Sequence, residues 1–228
     1  MTSSIYWILF IGIALISWAV SASLERKFKR YAETPLKLTG REVAEKMLRD
    51  NGIMDVKITC ISGQLTDHYN PADKTVNLSR EVYEGANVSA AAVAAHECGH
   101  ALQHAQEYAP LKMRSALVPV VSFSSKWMTW ILLIGMLTLE SFPQLMLFGI
   151  ALFATTTLFS FITLPVEVNA SQRAVNWLRE AGITDNETTP MASDALHAAA
   201  YTYVVAALSS LATLIYYILI FLGGRRDS

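Results

Sequence analysis

Long runs of apolar residues alternate with two polar regions along this chain. The first run carries no charge and is long enough to cross the ~30 Å hydrocarbon core of a bilayer as a helix. A second block, residues 117–164, is too long for one crossing, and Glu140 and Pro143 interrupt it in a pattern typical of a turn. We predict four transmembrane helices, at residues 5–23, 117–139, 145–164 and 198–222.

The first apolar run has the features of an uncleaved membrane anchor. No lysine or arginine side chain precedes it, whereas Arg26, Lys27, Lys29 and Arg30 follow it at once. A secretory signal peptide normally begins with basic residues and has a shorter apolar run. These differences favour an anchor, although the small residues 20–22 leave a cleaved signal peptide as an alternative.

Composition and charge support a membrane protein and indicate which side its polar regions face. Hydrophobic residues make up 53% of the chain and charged residues only 16%, while a net charge of −1 gives no reason to expect nucleic acid as a partner. The basic cluster after the first run predicts, by the positive-inside rule, that residues 24–116 and 165–197 are cytoplasmic. Arg225 and Arg226 would then lie outside, against that rule.

The first polar region predicts a small domain of helices and short strands. Thr39 and Glu42 have the spacing of a helix capping box, and Gly52 fits the end of that helix. Residues 56–61 alternate between apolar and polar positions in the way of a strand. A second extended stretch begins at residues 67–71, turns near Asp73 and continues through residues 75–78. We interpret residues 75–78 as an edge strand able to pair with the backbone of a peptide substrate.

An alanine-rich helix, predicted over residues 90–106 with Ser89 as its N-cap, carries candidate metal chemistry. His96 and His100 lie one helical turn apart, about 6 Å along the axis, so both imidazoles can reach one Zn²⁺ at about 2.0–2.1 Å. Glu97 can hold a water molecule at that metal and take its proton as general base. We expect Gly99 to leave room beside the metal.

A catalytic zinc site needs a third protein ligand, and Glu167 is the best candidate. It lies three residues beyond the predicted span 145–164, where the helical hairpin returns the chain to the side of the polar regions. His104 continues the histidine series but would lie about 12 Å along the helix from His96, which favours a surface or supporting role. Weaker candidates are Glu107, Glu180 and Glu187.

Two other residues near the candidate centre have two interpretations each. His68 and Tyr69 could donate hydrogen bonds to a tetrahedral oxyanion, although residues beside Pro71 more often serve a structural turn. Cys98 lies roughly 200° around the helix from His96 and is therefore not expected to be a ligand. The spacing of Cys60 and Cys98 fits neither a disulfide framework nor a zinc-binding motif. We therefore interpret both as free thiols of a protein in a reducing compartment.

Three segments together resemble a known family. The chain from His96 to His104, with residues 67–71 before it and residues 164–171 after it, is similar to YugP-type neutral zinc metallopeptidases of bacterial membranes. The similarity covers nearly the whole chain, including the order of the spans. It implies a gluzincin-like site in a multi-pass protein of the bacterial inner membrane, with Zn²⁺ as cofactor.

Carried over to this chain, the resemblance implies His96, His100 and Glu167 as zinc ligands and Glu97 as general base. Related HtpX-type membrane proteases have an aspartate four residues after the glutamate ligand. Ser171 stands at that place here, so the resemblance leaves its supporting role open. We expect Asn169 as an alternative hydrogen-bond partner of a ligand histidine.

The predicted architecture is mainly α-helical, with four transmembrane helices and a small α+β zincin-like cytoplasmic domain containing helices and a short strand pair. The predicted function is a membrane-bound zinc metalloendopeptidase that hydrolyses peptide or protein substrates, including membrane proteins, at the cytoplasmic face of the bilayer. The alternative is a non-enzymatic membrane adaptor with structural zinc. Glu97 favours the enzyme, because a structural site has no use for a neighbouring base. A metal transporter would need ionisable residues within several spans, which are almost absent.

Overall fold

The computed structural model describes the backbone of residues 2–224 and the side chains of residues 7–223, and this part of the chain is mainly helical. Arg225 and Arg226, which weighed against the predicted sidedness, lie outside the described residues. The helices are α1 Thr2–Ala32, α2 Gly40–Asp50, α3 Arg80–Glu84, α4 Val88–Ala105, α5 Ala109–Leu137, α6 Pro143–Glu180 and α7 Thr188–Gly224. The strands are β1 Lys57–Ile61, β2 His68–Asn70 and β3 Thr75–Ser79.

Four of these helices are long and apolar enough to cross a membrane, which confirms the number predicted from the sequence. Their most apolar windows, in α1, α5, α6 and α7, have mean hydropathies from 1.5 to 2.2. The helices are longer than the predicted spans. In particular, α6 passes through Pro165 without ending, so the apolar segment 145–164 and the segment that carries Glu167 form one helix.

The contacts divide the chain into two compact units. The apolar unit comprises residues up to Ala19, Lys112–Leu164, and residues from Thr202 onward. It exposes many large apolar side chains, among them Trp18 at 71% and Leu137 at 78%, as a surface covered by lipid would. The polar unit comprises Val20–Leu111 and Pro165–Tyr201, and it contains every candidate site residue named above.

Helix α2 contributes the apolar face that supports the polar unit. The predicted capping box is confirmed, because the Thr39 hydroxyl accepts from the Glu42 N–H and the Glu42 carboxylate accepts from the Thr39 N–H. Gly52, with a φ of 71°, ends the helix as predicted, in a conformation that glycine adopts without strain. Val43 and Met47 are fully buried between these caps and belong to the core that α4 also enters.

The sheet differs from the predicted strand pair because it has three strands, in the order β1-β3-β2. β1 runs parallel to β3, whereas β2 runs antiparallel to it. The interpretation of residues 75–78 as an edge strand is therefore wrong, since the strand that contains them is central. Three-residue β2 takes the edge position. It coincides with the start of the second extended stretch that the sequence predicts, at residues 67–71.

Helix α4 begins at a different residue from the predicted one. The Asn87 side chain caps it by accepting from the Ala90 N–H at 2.9 Å. Ser89, the predicted cap, already lies inside the helix, and its hydroxyl donates to the Phe28 carbonyl. Fully buried alanines line the first half of α4 and permit close packing on its neighbours. They are Ala91, Ala92, Ala94 and Ala95.

Candidate metal centre

Close packing of α4 on α6 brings the two histidines of the HExxH motif to the third predicted ligand. A Cβ atom on Gly99 would lie 2.7 Å from the Ala170 carbonyl oxygen and 3.1 Å from its Cα, so only glycine fits this approach. The expectation that Gly99 leaves room beside the metal is wrong, because it makes room for the backbone of α6. Ala170 lies three residues after Glu167, so the contact fixes the carboxylate opposite the histidines.

The three side chains converge on one point within the polar unit. His96 Nε2 lies 3.2 Å from Glu167 Oε2, and His100 Nε2 lies 3.4 Å from the same oxygen. One ligand atom from each residue lies within 4.8 Å of the others, and these three residues are the only such group among the described His, Cys, Asp and Glu side chains. Glu167 is nearly buried, with 3% of its surface exposed.

These distances fit a tetrahedral zinc ion. With bonds of about 2.0–2.1 Å, neighbouring ligand atoms in a tetrahedron are about 3.3 Å apart. The two Nε2–Oε2 distances fall on either side of that value. Two imidazoles and one carboxylate also form a donor set that suits Zn²⁺ and leaves one tetrahedral position for water or substrate.

The second ring nitrogen of each candidate ligand histidine, Nδ1, also has a hydrogen-bond partner. The His96 Nδ1 lies 3.1 Å from the Ser171 hydroxyl, and the His100 Nδ1 lies 3.0 Å from the Gln103 side-chain oxygen. In the tautomer that donates from Nδ1, the Nε2 lone pair of each ring is available to a metal. Ser171, whose role the resemblance left open, therefore contacts His96.

Sequence reasoning missed Gln103 and assigned its role to Asn169. The expected contact of Asn169 with a ligand histidine is wrong, because Asn169 Oδ1 instead accepts from Gln103 Nε2 at 3.0 Å and from Arg173 Nε at 2.7 Å. Gln103 Nε2 also donates to the Val166 carbonyl at 2.8 Å. Its i+3 spacing from His100 was the available signal, but the motif does not include this position.

The electrostatics of the centre reflect its burial and its opposite charges. Burial tends to raise the pKa of Glu167, yet hydrogen bonds from His100 and His96 outweigh this effect and hold the pKa well below its usual range. Burial lowers the pKa of His100, but its hydrogen bond to Glu167 and the nearby charge of Glu97 raise the net value. The centre thus keeps a carboxylate anion in a nearly buried position, where it favours a cation.

Glu97, the predicted base, is held by the edge strand. The Tyr69 backbone N–H donates to Glu97 Oε2 at 3.0 Å, and only 8% of the glutamate surface is exposed. In β2, this N–H belongs to the edge that does not pair with β3. The short strand therefore fixes one carboxylate oxygen of the residue that follows His96.

The candidates His68, Tyr69 and His104 have structural partners. His68 Nδ1 lies 2.7 Å from the Thr66 carbonyl and its Nε2 lies 3.2 Å from Asn77 Nδ2, so a neutral ring has no N–H left for an oxyanion. The Tyr69 hydroxyl pairs with His104 Nδ1 at 2.8 Å, and burial raises the tyrosine pKa. His104 is exposed, as expected of a surface or supporting residue.

Cys98 lies on the far side of α4 from the candidate ligands. It is fully buried, and its Sγ faces the Ala44 carbonyl of α2 at 3.7 Å. Burial raises the pKa of its thiol, so the metal-binding thiolate is disfavoured. This geometry agrees with the prediction that Cys98 is not a ligand.

A nearly buried His–His–Glu group beside a second glutamate is the residue set of catalytic zinc sites in peptidases. The chain belongs to the family described as "Putative neutral zinc metallopeptidase", whose model matches residues 6–222. A Bacillus subtilis (strain 168) protein described as "Putative membrane protease YugP" is 42% identical over 224 residues, covering 96% of this chain and 99% of that protein. No solved structure matches the chain. The family resemblance predicted from the sequence is confirmed.

Proposed function

We propose that this protein is a membrane-bound zinc metalloendopeptidase of the gluzincin type, with His96, His100 and Glu167 as zinc ligands and Glu97 as general base. The observation that carries the proposal is the convergence of two Nε2 atoms on one Glu167 oxygen, at 3.2 and 3.4 Å. The family of the chain supports the same chemistry. The substrate is a peptide bond of a peptide or protein, including membrane proteins.

When bound, Zn²⁺ supplies a Lewis acid that polarises the substrate carbonyl and lowers the pKa of water. Glu97 takes a proton from the attacking water and transfers it to the nitrogen of the leaving amine. The Tyr69 N–H holds one oxygen of this carboxylate in place. Ser171 and Gln103 hold the two imidazoles in the orientation that presents Nε2 to the metal.

We further propose that the polar unit is a zincin-like domain at the cytoplasmic face of the bacterial inner membrane. An HExxH helix packed beside a small sheet with a short edge strand supports a zincin-like arrangement. The cytoplasmic placement rests on the basic residues that follow the first apolar run, Arg26, Lys27, Lys29 and Arg30. The four membrane-length helices support a multi-pass location, and so does the Bacillus subtilis relative, which is described as a membrane protease.

The alternative function is a non-enzymatic membrane adaptor with structural zinc. Structural zinc sites almost always use four protein ligands. Among the described residues only three candidate ligands converge, and Glu97 lies beside them in a fixed orientation. The metalloendopeptidase explains both features, whereas the adaptor explains neither.

The test compares Glu97→Gln with Glu167→Ala in the full-length protein purified in detergent and loaded with zinc. Glu97→Gln retains the ligands but removes the base, so we expect bound zinc without hydrolysis of a casein-type substrate. Glu167→Ala removes a ligand, so we expect lower zinc content and no hydrolysis. Equal hydrolysis by wild type and Glu97→Gln would refute the mechanism. Unchanged zinc stoichiometry in Glu167→Ala would refute the ligand assignment.

A further inference from the structure

The polar unit contains a second concave site, which we call the α1–α4 cavity. It has a volume of about 400 Å³, within the range of small-molecule and side-chain binding pockets. The C-terminal part of α1 and the N-terminal part of α4 form two of its walls, and the segment before β2 and the start of α3 form the others. Its apolar lining includes Leu24, Phe28, Val82 and Val93.

Helix α4 connects the cavity with the candidate metal centre, because it carries both Val93 and the HExxH motif. Val93 lies one helical turn before Glu97, about 6 Å along the axis. Between residues 88 and 97, only Val93 and His96 are not buried, so the accessible surface of this helix segment runs from the cavity to the histidine. An extended peptide advances about 3.3 Å per residue, and the distance therefore corresponds to about two substrate residues.

The segment before β2, which forms another wall of the α1–α4 cavity, also leads to the candidate metal centre. Asp67 lines the cavity and lies two residues before Tyr69, whose N–H binds Glu97. Asp67 is fixed by the Ser79 N–H, which donates to its carboxylate at 2.7 Å. The segment leading into β2 is thus held on one side of the cavity and continues directly to the general base.

The rim of the cavity has a net negative charge. Glu25, Asp67 and Glu81 contribute three carboxylates, and Lys29 contributes one ammonium group. Glu81 accepts a hydrogen bond from Gln64, which holds it at the rim. An apolar interior with such a rim complements an apolar side chain that is followed or preceded by a lysine or arginine.

We propose that the α1–α4 cavity is a specificity pocket, which binds a large apolar side chain of the peptide substrate within two residues of the scissile bond and favours a neighbouring basic residue. This inference rests on the proposed peptidase function and adds a substrate class to it. The chemistry of the pocket selects for leucine, phenylalanine or methionine over alanine.

The test uses the full-length, zinc-loaded protein and a peptide library whose cleavage sites are identified by mass spectrometry. Wild type should cut peptides enriched in large apolar residues at one position near the scissile bond. A matched pair of quenched fluorescent peptides, with leucine or alanine at that position, should differ in kcat/KM by about 10-fold or more.

Variants that reshape the cavity should change this ratio. Val93→Trp fills the cavity and should bring the leucine-to-alanine ratio close to one, whereas Val93→Ala enlarges it and should shift preference toward phenylalanine and tryptophan. Glu25→Lys should remove the preference for a basic neighbour. Met54→Trp is the control, because Met54 is exposed and outside the cavity, and it should keep the wild-type ratio.

The outcomes separate this inference from the proposed function. If hydrolysis depends on Glu97 but shows no apolar preference, the pocket assignment is wrong and the peptidase assignment stands. The same conclusion follows if both Val93 variants keep the wild-type preference, as expected of a cavity covered by lipid or detergent. If wild type hydrolyses no peptide although it binds zinc, both assignments fail.

Discussion

Gln103 connects the candidate ligands of both helices through one side chain. Its surface is fully buried, its oxygen contacts the His100 ring, and its N–H groups donate to Val166 and Asn169 on α6. A buried amide whose oxygen and N–H groups are all paired has one stable orientation. Exchanging the amide oxygen and nitrogen would place donors against donors and acceptors against acceptors. The orientation of His100 is therefore set by a residue outside the HExxH motif.

We expect Gln103→Leu to weaken zinc binding by about 10- to 100-fold, the usual effect of losing a hydrogen-bond partner of a ligand histidine. The leucine leaves His100 Nδ1 and the Val166 carbonyl without their partner. Zinc affinity can be measured by competition with a chromophoric chelator, independently of hydrolysis.

Gln106→Leu is the matched control for this prediction. Gln106 lies at the end of the same helix and accepts a hydrogen bond from Arg173, but it is exposed and contacts no candidate ligand. We expect its zinc affinity to remain at the wild-type level. Equal loss of affinity in both variants would show that Gln103 acts through general stability and not through His100.

At the residue scale, the sequence predicted the candidate metal ligands and the candidate base. It did not predict the residues that hydrogen-bond to the candidate ligands. His96, Glu97 and His100 share a short motif with fixed helical spacing, and Glu167 follows from the need for a third ligand. The contacts of Gln103 and Ser171 depend on the spacing and rotation of α4 against α6. No pattern along either helix encodes these two quantities.

At the scale of elements, the separation of α4 and α6 determines whether the candidate ligands converge. Gly99 faces the Ala170 backbone, which cannot move aside as a flexible side chain would. Alanine elsewhere in a helix is more stable than glycine by about 1 kcal/mol. Here that gain competes with overpacking, which typically costs about 1–3 kcal/mol.

We therefore expect Gly99→Ala to lower both the thermal stability and the zinc content of the protein, because the added Cβ forces α6 and Glu167 away from the histidines. Thermal unfolding in detergent and metal analysis measure the two effects. Gly12→Ala is the control, since Gly12 is also helical and a Cβ there meets no atom within 4 Å. If Gly99→Ala behaves like Gly12→Ala, close packing does not set the site.

The sequence predicted the long elements better than the short ones. Runs of apolar residues and the capping box at Thr39 and Glu42 are local signals, and the corresponding elements are present. The sequence predicted extended backbone where β2 and β3 lie, but not that the two strands pair with each other in one sheet. The central position of β3 is likewise a property of the sheet and not of its own sequence.

At the scale of the whole molecule, the sidedness of the membrane protein is the prediction that most affects function, because it decides which proteins can reach the site. The cysteines of the polar unit allow this sidedness to be tested by chemical labelling. Cys60 is exposed on β1, whereas Cys98 is fully buried. The pKa of the Cys98 thiol is raised by burial, so its reactive thiolate is suppressed.

We expect a membrane-impermeant maleimide to label Cys60 in permeabilised cells and not in intact cells, because the positive-inside rule places the polar unit in the cytoplasm. Cys60→Ser should remove this signal and so exclude a contribution from Cys98. Glu140→Cys reports the opposite side, since Glu140 is exposed and precedes α6 at the turn between two membrane-length helices. It should be labelled in intact cells. The reverse pattern at both positions would place the site outside the cell, and a peptidase there would act on a different set of substrates.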